Sequence, residues 1–168
     1  MAAILMIIDQ PSLAFSDPIL NNVVNSKIEN NRLGKLSEYD KLAVTVNGYN
    51  ISAFIADTSE KRINGLSGVG NMSQDQAMLF VLDSPSKQGF WMKEMNFPID
   101  IIWIDNNDTV IHIEKKLEPC VSTFLCPVYS PSNDAKYVLE TTAGFADSLA
   151  IDVGKIIKIN INQSRSVI

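Results

Sequence analysis

The sequence predicts a β-rich α+β domain: small, compact and β-barrel-like, with two short helices. Three observations carry this expectation. Short runs of alternating or wholly apolar residues recur at close spacing from Lys41 onward. The pairs Asn47-Gly48 and Asn106-Asn107 stand between such runs, where tight hairpins form. Two brief stretches carry helix-start chemistry without the length for long helices. A sheet built from so many apolar strands has to hide its edges, and curling into a small barrel does so.

The elements follow in order. Leu42, Val44 and Val46 alternate with Ala43 and Thr45, and a second alternating run covers Tyr49 to Ala56. Asn47-Gly48 between them suits the positive φ angles of a type I′ turn, which makes the pair a hairpin. Asp57 is placed to cap a helix start, with Glu60 as its capping-box partner and Gly65 as the left-handed stop. Leu66 to Asp75 reads as loop, Met78 to Leu82 as an apolar strand and Gly89 to Lys93 as another. Ile99 to Ile104 is apolar on both faces except at Asp100, the pattern of a buried central strand. Asp108 to Glu114 returns after Asn106-Asn107, with Ile111 and Ile113 expected on one face and His112 and Glu114 on the other. Lys136 to Glu140 is a further strand. Thr142 is expected to cap a short helix with Phe145 and Leu149 on one face, and Lys155 to Ile161 is the last strand.

A chain of 168 residues with 46% hydrophobic content implies one domain with a real core, so neither metal nor disulfide is needed for folding. The expected division is an apolar stub and polar leader over residues 1–40, a single domain over 41–163 and a tail over 164–168. Ala2 to Ile8 is apolar until Asp9 and Pro11 interrupt it. Such a helix rises about 10 Å against a hydrocarbon core of about 30 Å, so as written it cannot span a membrane. Two readings of it stay open: a core-covering start, or the end of a longer signal or anchor segment. The net charge of −5 argues against nucleic acid as a partner, because Lys115-Lys116 and Lys61-Arg62 are too short to form a basic stripe.

The densest chemistry lies between Phe90 and Asp105, which holds both tryptophans. Trp91 and Lys93 share a face if the segment is a strand. Trp91 then offers a stacking surface and Lys93 a charge for an anionic group; equally, Lys93 lays its stem over a ring that closes the barrel end. Asp100 needs a partner once buried, either a salt bridge to Arg62 or Lys93 or a set of loop N–H groups. Glu140 is a second candidate inward carboxylate, and Asp100 with Glu140 is the only acid–base pair worth weighing. His112, the sole histidine, reads as a surface residue beside Glu114. No metal site is expected from two cysteines and one histidine, and no cofactor motif is present. Cys120 and Cys126 pair in an oxidising compartment and stay as buried thiols, or do redox chemistry, in a reducing one.

These residues, in their order, closely resemble the domain-of-unknown-function 192 family, also called uncharacterised protein family 0127. The resemblance runs through Ala56-Asp57-Thr58, Arg62, Gly65-Leu66, Met78-Leu79-Phe80, Phe90-Trp91-Met92-Lys93 and Pro98-Ile99-Asp100. It continues through Cys120, Cys126-Pro127, Tyr129, Tyr137-Val138-Leu139-Glu140, Ala143-Gly144 and Val153-Gly154, covering about residues 42 to 161. It implies a compact β-barrel-like domain with no established activity, and an exported home for many members. It also turns the Tyr129 ring toward Trp91. The chain departs from the family at Ser67-Gly68-Val69, Ala77 and Glu94-Met95, so its ligand is expected to differ.

The functional expectation is a non-catalytic, extracytoplasmic or membrane-tethered domain that binds a small polar or anionic molecule, such as a glycan, near Arg62, Trp91, Lys93, Asp100 and Tyr129. The competing readings are an enzyme using Asp100 and Glu140, and a partner-binding module of the cell envelope. A cytoplasmic location is the alternative to export.

Overall fold

The computed structural model describes residues 35–120 and 125–159. The apolar stub, most of the polar leader and the tail lie outside the described residues. Strands β1 (Lys41–Val46), β2 (Tyr49–Ala56), β3 (Gln76–Ser86), β5 (Ile99–Ile104), β6 (Val110–Leu117), β8 (Ala135–Thr142) and β9 (Ile157–Ile159) form one sheet. Their order is β6-β5-β8-β3-β2-β1-β9. Strands β4 (Phe90–Trp91) and β7 (Val128–Tyr129) pair as a separate ribbon. The helices are α1 (Ser59–Asn64) and α2 (Phe145–Ser148). Among the described strands only β2 and β3 run parallel, and α1 with its following loop supplies the crossover they need.

The two ends of the strand order meet. Thr109 bridges Ile156, while Val110 N–H donates to Lys155 O, Gly154 N–H to Val110 O and Ile157 N–H to Asp108 O, each at 2.8 Å. The sheet therefore curls into a half-barrel, and the expected β-rich, barrel-like α+β domain is the fold observed.

Strand periodicity sorts the apolar residues onto two faces. The concave face carries Val44, Val46, Ile51, Ala53, Leu79, Ile102, Ile104 and Leu139, and α2 plugs it with Phe145 and Ala146. The convex face carries Phe54, Met78, Phe80, Ile99, Ile101, Trp103 and Val138, covered by Leu66, Val69, Met72, Met92, Met95 and Phe97. Strands buried on both faces explain why Ile99 to Ile104 is apolar except at Asp100. Leu36 and Tyr39 are buried in the convex-face cluster. Residues 35–40 thus belong to the packed domain, not to a tether as the expected boundary at Lys41 had it.

Several local expectations hold, and others shift by a residue. Asn47 (φ 49°) and Gly48 (φ 82°) adopt the positive angles that a type I′ turn requires. The cap of α1 is Thr58, not Asp57. Thr58 is the extended residue, and its Oγ1 accepts from Lys61 N–H at 3.2 Å. Asp57 instead accepts from the Lys61 ammonium at 3.3 Å. Gly65 ends the helix as expected, and a Cβ there would sit 3.3 Å from the Phe80 ring. Ile111 and Ile113 do not share a face. A register shift in the β5–β6 pairing sets Ile111 against the convex cluster and leaves Ile113 against the concave one. Thr142 does not cap α2; Gly144 (φ 87°) is its N-cap, and the capping oxygens come from elsewhere.

Candidate functional site

The β4–β7 ribbon stands over one end of the convex face and, with α1, walls a cleft of about 530 Å³. Its floor is Phe80 and Leu82 from β3; its sides are Arg62 and Ile63 from α1 and Phe90, Trp91 and Val128 from the ribbon. The ribbon is short because Trp91 is followed at once by a turn through Lys93 and Glu94 (φ 59°). It is held close by Gly89, where a Cβ would lie 2.6 Å from the Val128 side chain. Phe90 turns inward and packs edge-on against Phe80 at 4.9 Å and Trp103 at 6.0 Å. Trp91 turns outward and is 52% exposed, whereas Trp103 is fully buried with its Nε1–H donating to Gln88 O.

The predicted site residues part company here. Lys93 Nζ lies 5.4 Å from the centre of the Trp91 ring, so the cation and the indole do meet. Arg62 lines the cleft, but its guanidinium is committed. It donates to Asp57 O and Val81 O at 2.9 Å and to Asp83 Oδ2 at 2.7 Å, which pins α1 to β3. Tyr129 sits opposite Phe90 and packs against the core; Val128 takes the place opposite Trp91 and lines the cleft. Asp100 is not at the cleft. Neither Arg62 nor Lys93 bridges it. Its carboxylate is fully buried on the concave face and accepts from three backbone groups: Lys116 N–H at 2.8 Å, Gly144 N–H at 3.2 Å and Ala146 N–H at 2.9 Å. Those bonds cap α2 from a distance, the task that Thr142 was expected to perform.

Glu140 is buried too, 4% exposed, and burial pushes its carboxyl up to about 8. It accepts no hydrogen bond among the described residues. It stands opposite Ile101 and Met78, both on the convex face, whereas Asp100 stands opposite Thr141. Strand alternation therefore puts the two carboxyls on opposite faces of the sheet. A reacting group cannot touch both, which removes the acid–base pair weighed from the sequence.

Cys120 and Cys126 are joined, with Cα atoms 5.6 Å apart, and Cys120 N–H donates to Met92 O at 3.0 Å. This ties the loop before β7 to the Trp91-Met92 segment. His112 Nε2 lies 3.1 Å from Glu114 Oε1, and its ring lies 5.1 Å from Trp103. Among the described residues no group of three His, Cys, Asp or Glu is placed to hold a metal, and no helix is long and apolar enough to cross a membrane. Sequence reasoning missed Ile63, Phe80, Leu82 and Val128 as lining residues. Only Ile63 left a trace, as the single apolar residue in the polar α1 segment.

Comparison with known proteins bears on this arrangement. The DUF192 family, described as Uncharacterized ACR, matches residues 42–159. A UPF0127 protein of Thermococcus sibiricus is 32% identical over 116 residues, covering 68% of this chain and 70% of the relative. One of Thermococcus gammatolerans is 27% identical over 113 residues, covering 66% and 68%. A crystal structure of a protein of unknown function from Novosphingobium aromaticivorans superposes with TM-score 0.65 at 24% identity, over 71% of this chain and 85% of that one. A putative transcription regulator from Sinorhizobium meliloti superposes with TM-score 0.65 at 26% identity, over 71% and 94%.

Proposed function

Given that the chain belongs to the DUF192 family, whose description carries no activity, we propose from its own cleft that it is a non-catalytic binding domain. Its ligand is a small molecule with a flat face and an anionic group, a class that includes acidic glycans. The observation that carries this reading is Trp91, half-exposed beside a 530 Å³ cleft with an ammonium 5.4 Å from its ring. Large aromatics are normally buried or used. The floor and walls favour the flat body of a ligand; Lys93 does not line the cleft, and its ammonium, over the Trp91 ring and 4.0 Å from Glu94, favours a negative charge that reaches the indole. The disulfide suits an oxidising compartment, which supports an extracytoplasmic home. With a net charge of −5 the chain is poorly suited to bind nucleic acid, so the regulator label of the Sinorhizobium meliloti protein is not carried over.

Trp103 is buried, so a ligand-induced fluorescence change reports on Trp91. Screening acidic saccharides and aromatic carboxylates is expected to give a saturable change that Lys93→Ala weakens by about fivefold. Calorimetry on Trp91→Ala is expected to lose the binding. Saturable binding that survives in Trp91→Ala, Lys93→Ala would overturn the proposal. A second reading, a docking cleft for a partner protein, draws on Ile63 (82% exposed) and Val128 (63% exposed) beside Trp91. It predicts silence in the same screen.

A further inference from the structure

A second cleft, of about 560 Å³, opens at the mouth of the half-barrel, over the α2 plug. Barrel mouths are common places for small ligands. One wall is Tyr49, which leaves the Asn47-Gly48 hairpin 60% exposed. The second wall is Gln74 and Asp75, just before β3. The third is α2 and its flanks, with Phe145, Ser148 and Leu149.

These walls are fastened to one another. The Asn47 side-chain amide donates to Leu149 O at 2.6 Å, holding the hairpin tip against the end of α2. Ser52 N–H donates to Asp75 O at 2.8 Å, holding the second wall to β2. Ala143 N–H donates to Pro98 O at 3.1 Å. The cleft is thus preformed, and its shape needs no ligand to create it.

Its chemistry has one sign. Among the described residues Asp75 is the only charged side chain that lines the cleft, and no lysine or arginine joins it. Among the described residues the Asp75 carboxylate, the Gln74 amide and the Tyr49 hydroxyl make no hydrogen bond. An exposed aromatic face and an uncompensated carboxylate across one concavity both attract a cation, and an anion would meet only repulsion. The Leu149 and Phe145 side chains add apolar contact, which suits carbon substituents on that cation.

We infer that this barrel-mouth cleft is a binding site for a small organic cation, a primary amine or quaternary ammonium group, held between the Tyr49 ring and the Asp75 carboxylate. The site is separate from the Trp91 cleft and does not rest on the function proposed for it. It lies on the other side of the sheet from the Phe80 floor, since Phe145 belongs to the concave face and Phe80 to the convex one.

The test is a titration of the isotope-labelled full chain with choline chloride, followed by amide shifts, at ionic strength matched with sodium chloride. Saturable shifts are expected at Gln74, Asp75, Gly144 and Ser148, with Trp91 fluorescence unchanged. Dimethylbutanol, the uncharged carbon isostere of choline, is expected to leave those amides in place. Asp75→Asn is expected to weaken binding by about fivefold and Tyr49→Ala by about two- to fivefold. Both side chains are exposed, so the variants are expected to keep the wild-type spectrum elsewhere, which is checked in the same experiment. Absence of saturable shifts, equal shifts from dimethylbutanol, or unaltered choline binding in Asp75→Asn would each overturn the inference.

Discussion

Glu140 shows how far one position can govern a property of the chain. Its carboxyl is desolvated among Met78 and Ile101, and its pKa rises from 4.5 to about 8 by burial alone. The sign follows from linkage. In the unfolded chain the group gives up its proton near its ordinary value of 4.5, and in the folded chain only near 8. The stabilisation from the neutral acid is therefore complete below the lower value and is lost as pH rises through the upper one. Between them the loss is on the order of 5 kcal/mol, at about 1.4 kcal/mol per unit. Glu140→Gln keeps the shape and removes the titration. Urea unfolding of the wild type is expected to show a lower midpoint at about pH 8 than at about pH 5, with much less difference in Glu140→Gln. Equal pH slopes for the two proteins would show that the carboxyl is not held neutral.

Helix α2 is four residues long, too short to stabilise itself, and its N-cap Gly144 offers no side-chain oxygen. Asp100 substitutes for that cap from the start of β5, with bonds to Gly144 and Ala146 and a third to Lys116 at the irregular end of β6. One carboxylate thus orders a strand end and the barrel plug together. Asp100→Ala strands three donors, and each buried unsatisfied group costs about 1–3 kcal/mol. The variant is expected to lose about 3 kcal/mol or more in urea unfolding, with faster hydrogen exchange at Ala146 than at the β3 core. Loss of under about 1 kcal/mol would mean that water replaces the carboxylate without cost. Because α2 forms one wall of the barrel-mouth cleft, the same substitution also blurs that site.

Across the whole molecule, the sheet is organised by two apolar clusters on its two faces and by a few bonds that join its edges. The Trp91 cleft sits over the convex face beside a ribbon of two-residue strands. That ribbon is stitched by the Cys120–Cys126 link, whose cysteines are 6 positions apart, and by the Cys120–Met92 backbone bond. A closed loop of this size is expected to stabilise the fold by about 2 kcal/mol on the chain-entropy model. Replacing both cysteines by serine is expected to lower stability by that amount and to raise amide exchange from Gly89 to Met92, with the concave core unaffected. A variant as stable as the wild type, with unchanged exchange, would show that the link adds nothing to the ribbon.

Local chemistry written into the chain was legible without coordinates. Alternation placed β1 and β2, Asn47-Gly48 placed their turn, and the run of Ile99 to Ile104, apolar except at Asp100, announced a strand covered on both sides. Trp91 and Lys93 do meet, as their closeness in sequence suggested, but not on a shared strand face: the strand ends at Trp91, short of the expected end at Lys93, and Lys93 lies in the turn that follows. Partnerships across long separations were not legible. Nothing in the sequence assigns Asp100 to the amides of Gly144 and Ala146, Arg62 to Val81 and Asp83, or Val128 rather than Tyr129 to the side of Trp91. Nor does it say that Asp100 and Glu140 face apart, because that depends on the pairing register of β5 with β8. Period and turn preference are properties of neighbouring residues. Register, burial and the choice between two equally acceptable partners are settled only when the sheet closes and each polar group finds which donors are within reach.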